Sequence, residues 1–411
     1  MRSFNYSRPL GKDVCNISTP LFRLVNMVHE YKGKQDVVAD VAPAVLGDLP
    51  VSTILKNVTF FCENAGLPFD EEERQVLERE LNKPQLLERV RPAEYGEALN
   101  SRDLQRLQTK LYAKNFLRLE QPENFEVSID SIVELYCSLV PYRLQKNEYW
   151  PKVGEHRTLY GGLESEGVIR YLQVQSKGFP LQLMTGSNFT SGNIVMQAMS
   201  ARDVRLALRE ICDSFNEVVN YFDPLVVIPR FIVDFLCISP FDDLFGNLLV
   251  SQFLTMILLA KAGYPVYRYI SYDLVSHHLS DGHYTGNDRF TTALRESISG
   301  WHLGNNDYAP FTVYFLRHLS LAFQYFFYRL LPLGGRDRKA KCIKALFRDE
   351  SVLLTKSEIH DLCYEISVPT IESVLGKLSG ETGFLEKVGK GRNTAYRRRA
   401  GAIDLVEDFA Y

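Results

Sequence analysis

Over the first ~120 positions apolar residues recur at helical spacing between polar, charged runs such as Asp70 to Glu80, with no strand-like alternation. This predicts helices. Between about Trp150 and Met199 the texture changes. Gly161, Gly162, Gly167, Gly178, Gly186 and Gly192 punctuate short apolar runs (Val168 to Val174, Phe179 to Met184, Ile194 to Met196), the pattern of β-hairpins or an extended flap.

Helix returns at Ser200, where Ser200 and Asp203 form a capping-box-like pair, and Val204, Leu208, Ile211, Phe215 and Val218 share one face. After Asp223-Pro224 the run Leu225 to Ile238 is apolar almost all round, as a central buried helix should be. The loop Ser239 to Gly246 leads into a second apolar helix ending at Gly263, with Pro265 blocking continuation. Aromatic-rich helices follow through Tyr314 to Tyr328, and Leu331 to Asp337 reads as a linker.

Beyond it, Lys339 to Phe347 predicts a helix with Ile343 and Leu346 inward. Thr355 and Glu358 form a capping box for a second helix. Ser367 caps a third, with Pro369 in its first turn and Ile371, Val374, Leu375 and Leu378 on one face. Two strands, Phe384 to Val388 and Thr394 to Arg398, flank the basic turn Gly389 to Asn393. Three helices and a basic hairpin make a winged helix-turn-helix pattern. Such a module reads DNA with its third helix and wing or serves as a protein-binding module. For DNA, the outward face offers Thr370, Ser373 and Lys377, opposed by Glu372, while Lys387, Lys390, Arg392, Arg397, Arg398 and Arg399 would meet phosphates.

Charge sharpens this division. The 411 residues carry a net −3, yet residues 336–399 hold 14 Lys/Arg against 9 Asp/Glu, a basic module on an acidic body. Seven scattered cysteines without a CxxC pair argue against a disulfide framework and a zinc site. His277, His278, Asp281 and His283 fit no metal template and read as a solvated loop. With no apolar leader and no span-length apolar run, the expectation is a cytoplasmic protein that does not enter a membrane.

A polar loop between two buried helices can aim free N–H groups at an anion, though it is more often a plain connection. The run Phe231 to Phe241, followed by Asp242 to Val250, resembles the lead-in and signature of Fic proteins, His-Pro-Phe-x-Asp/Glu-Gly-Asn-Gly/Lys-Arg-x-x-Arg. Gly300-Trp301-His302, Asn306 to Phe311, Arg2 to Ser7 and Glu30 to Gly33 extend the resemblance over nearly the whole chain. It is to the common bacterial Fic proteins with an N-terminal helical region and a C-terminal winged helix. The resemblance implies a mainly α fold: residues 1–120 as the N-terminal region, 121–330 as the Fic (Fido) core with a flap at 152–198, and 336–399 as the winged helix.

In that family the signature His is the base for a target hydroxyl that attacks ATP, the acid holds Mg²⁺, and the glycine turn and arginines hold phosphate. The usual product is an AMP-modified protein hydroxyl. Here Pro240 and Phe241 are kept, Asp243 stands at the metal acid and Gly246 at the second glycine. Ser239 replaces the catalytic His, Leu244 the first glycine, Phe245 the asparagine, and Asn247 and Val250 the two arginines. Loss of a base alone costs ~10²–10⁴-fold. The expectation is a degenerate protein that acts by binding a partner protein, another Fic protein or DNA, with a homodimer open. The alternative is a nucleotidyl or phosphoryl transferase with altered chemistry that keeps ATP and Mg²⁺ through Asp243.

Two further family features map onto this chain. Thr59-x-x-x-Glu63-Asn64 matches the autoinhibitory motif, but the arginine that its glutamate would pair with is Val250, so that helix reads mostly as packing. Ile194, Val195 and Met196 fall where the family docks a target strand by β-augmentation, and a hairpin closing over its own core reads equally well.

Overall fold

The computed structural model of the chain describes residues 18–41, 43–47, 49–65, 67–90, 101–139, 180–182, 194–197, 201–241, 244–279, 289–330, 340, 343–344, 346–347, 352–363, 366–380, 383–389, 391 and 394–399. Within them the protein is mainly helical.

The N-terminal part runs through α1 (Thr19–Val41), α2 (Pro43–Leu46), α3 (Leu49–Ala65), α4 (Glu71–Leu81), α5 (Pro84–Glu88) and α6 (Ser101–Asn115). Local chemistry sets these ends. Asp70 accepts the Glu73 N–H at the start of α4, whose first turn holds Glu71, Glu72 and Glu73 against the positive helix end. Two 3-10 turns, Phe116–Leu119 and Pro122–Asn124, lead to α7 (Ile129–Leu139). Of the expected flap, β1 (Pro180–Gln182) and β2 (Ile194–Gln197) are described, and they pair antiparallel with Leu181 opposite Met196.

The central part holds α8 (Ala201–Val218), α9 (Pro224–Ile238), α10 (Leu244–Lys261), α11 (Tyr272–Leu279), α12 (Arg289–Ile298) and α13 (Ala309–Arg329). From Leu225 onward every residue of α9 except Arg230 is buried, so this helix is the axis of the core. α10 ends as its sequence requires. Gly263 takes φ 88°, its N–H bonds the Ala260 carbonyl, and the Tyr264 N–H reaches back to Leu259. α13 packs along α1, where Tyr31 meets Phe323 and Phe327 with ring centroids 6.0 Å apart in each pair. Among the described residues no helix is long and apolar enough to cross a membrane.

The C-terminal part contains a strand absent from the sequence expectation. β3 (Leu353–Thr355) precedes α14 (Lys356–Leu362) and α15 (Val368–Leu378), and β4 (Leu385–Val388) and β5 (Ala395–Arg398) close an antiparallel sheet ordered β3-β5-β4. Both halves of the Thr355–Glu358 capping box are formed. Ser367 makes no cap bond; its hydroxyl pairs with that of Thr370 at 2.9 Å. Leu346 and Phe347 form a turn and not the end of a helix, and both are buried. Tyr328, in the last turn of α13, hydrogen-bonds Cys363 between α14 and α15.

Candidate functional site

The α9–α10 loop is fixed from both ends. At the start of α9, one Asp223 oxygen accepts the Leu225 N–H at 2.9 Å, and the other meets His29 Nε2 at 2.8 Å. His29 Nδ1 in turn meets the Tyr264 hydroxyl at 2.9 Å, so one residue joins α1 to the start of α9 and the end of α10.

At the far end Ser239 takes φ 50° and ψ 64°, and its N–H bonds the Phe235 carbonyl at 2.9 Å. It is the one non-glycine residue with positive φ among those described. A left-handed backbone costs an L-residue roughly 1–2 kcal/mol, which is why glycine usually ends helices this way. The Ser239 side chain is fully buried, and its hydroxyl has no hydrogen-bond partner among the described residues. Two penalties fall on a single residue.

The loop then turns inward. Pro240 and Phe241 are buried, and the Phe241 ring stacks on Tyr136 of α7 at 3.9 Å between centroids and 11° between planes. Asn247, fully buried on the first turns of α10, accepts the Phe241 N–H at 3.2 Å and donates to the Phe241 carbonyl at 2.8 Å. One amide therefore satisfies both polar groups of a buried residue across the loop. Val250 is also fully buried and packs in the core. Asp242 and Asp243 lie outside the described residues. Leu244, Phe245 and Gly246 form the first turn of α10; nothing is described of the Leu244 and Phe245 side chains.

Asp234 supports the loop from within α9. One of its oxygens accepts from Trp301 Nε1 and from the Tyr308 hydroxyl, each at 2.7 Å. Arg230 lies over the Tyr308 ring at 5.1 Å. Burial, then the adjacent carboxylate, holds the Tyr308 hydroxyl well above its ordinary pKa, so it stays protonated and donating. Burial likewise keeps the Cys237 thiol neutral. Behind α10, Asp273 accepts from Tyr112 at 3.2 Å and Gln252 at 3.1 Å, and burial pushes its carboxyl up to about 6.

Thr59 and Glu63 lie on α3. Thr59 donates to its own helix at Leu55, and Glu63 is exposed while Val58, Phe61 and Cys62 are buried. Phe61 stacks on Tyr112 at 4.1 Å. Nothing is described of the Asn64 side chain. Ile194, Val195 and Met196 lie in β2, with side chains likewise outside the description.

On the C-terminal module three of the expected cations have contacts within the module. Arg397 pairs with Glu386 across the sheet, Arg398 lies over the Phe384 ring at 5.6 Å, and Arg399 donates to the Gly383 and Gly380 carbonyls. Cross-strand register causes this, because β5 sets Arg397 opposite Glu386. Lys377 and Lys387 are exposed, Ser373 is exposed, and Thr370 is half-buried. Glu372 pairs with Lys356 at 2.8 Å. Lys390 and Arg392 lie outside the described residues, as do Asp281 and His283. Among the described residues there is no cluster of three or more His, Cys, Asp or Glu suited to a metal ion.

Sequence reasoning missed Asp234, Tyr136 and the inward role of Asn247. Asp234 carried a signal: an acid in a wholly apolar helix needs buried donors.

No protein-family model matches the chain, and no curated protein matches it. Solved structures similar to it include two Fic proteins. A Fic family protein from Desulfovibrio desulfuricans G20 covers 94% of this chain and 98% of its own length, at 13% identity and TM-score 0.45. A Fic domain containing signaling protein from Bacteroides thetaiotaomicron VPI-5482 covers 72% of this chain and 97% of its own, at 16% identity and TM-score 0.43. Likenesses this distant assign no role to any residue here.

Proposed function

We propose that this chain is a Fic-like protein that has given up adenylyl transfer and acts by binding, with a partner protein and DNA as the partners its surfaces suit. The observation that carries this reading is the geometry of positions 239, 247 and 250. Where the Fic signature would place a base and two arginines stand a serine hydroxyl with no partner among the described residues, an amide clasped to Phe241, and a core valine. A serine without a neighbouring base does not take a proton near neutral pH.

These residues do not fit a nucleoside triphosphate with its Mg²⁺. Phosphate transfer needs fixed positive charge where negative charge develops, and residues 239–250 contain no Lys or Arg. Asn247 is turned away from any such role, since both ends of its amide are held by the backbone. No catalytic step is therefore written through the nucleotide.

Two surfaces support binding. The β1–β2 ladder offers a strand for an extended peptide. The sheet order and helix order of the C-terminal module suit a winged helix, whose α15 carries the exposed Lys377, with Lys387 on β4. With three arginines committed internally, any DNA contact is weak and electrostatic.

The enzyme reading has one observation in its favour: the Ser239 hydroxyl, without a partner among the described residues, is a group a bound ligand could complete. Calorimetric titration of the full chain with ATP and Mg²⁺ separates the two. The binding-protein reading expects no saturable heat at millimolar nucleotide; saturable binding lost in Ser239→Gly would establish the other.

A further inference from the structure

A groove of about 380 Å³ lies on the opposite side of α7 from the loop, within the ~300–1,000 Å³ range of small-ligand sites. Glu134 and Ser138, one turn apart on α7, line it, whereas Tyr136 between them faces Phe241. The remaining walls come from α6, the two 3-10 turns and the end of α5.

Its centre is Arg118. The guanidinium is held on two sides: Nε donates to Asn115 Oδ1 at 3.1 Å, and Nη2 donates to Glu134 Oε1 at 2.6 Å. Asn115 is itself 1% exposed and anchored, giving its Nδ2 to the Leu111 carbonyl at 2.8 Å and accepting from Ser138 at 3.0 Å. The fork is thus oriented before any ligand arrives, and its Nη1 edge enters no hydrogen bond among the described residues. The other cation in the lining, Lys114, is committed to the Glu88 and Val90 carbonyls at 3.0 and 2.9 Å.

We infer that this groove binds a small organic monocarboxylate, with Arg118 as the bidentate anchor and Leu117 and Phe125 beside an apolar tail. A planar fork matches a carboxylate, and its one positive charge, already shared with Glu134, suits a singly charged anion. A phosphate dianion would set its second charge against Glu88 and Glu134.

The test is calorimetry on the full chain with a panel of N-acetyl amino acids, the matching neutral amides, and inorganic phosphate. The site predicts saturable binding of at least one acid, with its amide about 10- to 100-fold weaker. Arg118→Gln and Asn124→Trp, the latter at the exposed rim, should each abolish it. If Arg118→Gln fails to fold, Asn124→Trp and the acid–amide pair still decide. Amides that bind as tightly as the acids, phosphate that binds more tightly, or no acid binding at millimolar concentration would each overturn the assignment.

Discussion

Replacing Asn247 tests whether the α9–α10 loop is built as a scaffold. Its amide makes two hydrogen bonds to Phe241, at 3.2 and 2.8 Å, in a region where both residues are buried. Asn247→Ala leaves a buried N–H and a buried carbonyl unpaired, each costing about 1–3 kcal/mol, so the expected loss is about 2–6 kcal/mol. Asn247→Asp keeps the size but reverses one contact, setting an oxygen against the Phe241 carbonyl and burying a charge, and should cost more than alanine. Urea unfolding followed by tryptophan emission reads this, because the Trp301 indole, one of two in the chain, is hydrogen-bonded to Asp234 in the helix that feeds the loop. An Asn247→Ala variant within about 0.5 kcal/mol of the parent, the range of ordinary surface changes, would refute the clasp. An aspartate variant more stable than the alanine one would refute the reasoning about the Phe241 carbonyl.

Three more predictions follow from other residues. Ser239→Gly relieves a left-handed backbone and a hydroxyl unpaired among the described residues, and should raise stability by roughly 1–2 kcal/mol; a loss in thermal unfolding would contradict the strain argument. The folded Asp273 carboxyl keeps its proton up to about 6, whereas an unfolded one releases it near about 3.9. Stability should therefore fall as pH rises between those values, on the order of 1–2 kcal/mol given the partial exposure of this residue, and Asp273→Asn should flatten that slope. For DNA, removing Lys377 and Lys387 together should lower the salt slope of binding by about 2 in a titration on duplex DNA; an unchanged slope would place the contacts elsewhere.

What could be read in advance was what local chemistry decides. Asp223 ahead of Pro224, Gly263 after α10, and the Thr355–Glu358 pair all end or start helices through bonds to near neighbours. What could not be read depended on distant partners. Asp234 finds its donors 67 and 74 positions later, in Trp301 and Tyr308. β3 has only three residues and gains its identity from β5, some forty positions on, so no alternation could announce it. The pairing of Arg397 with Glu386 comes from the β4–β5 register, which no local pattern announces. Asn247 is the instructive case: at its aligned position a substituted amide reads as a lost charge, and only the fold of the loop reveals its bonds to Phe241.

The account turns on whether the loop still transfers a nucleotide fragment to protein. The direct measurement incubates the full chain with α-labelled ATP, Mg²⁺ and cell lysate, beside an Asp243→Ala variant and a Ser239→His variant. The account predicts no protein labelling above background in any of the three, because a histidine at 239 restores a base without restoring charge at 247 and 250. Labelling by the parent chain that Asp243→Ala abolishes would contradict it.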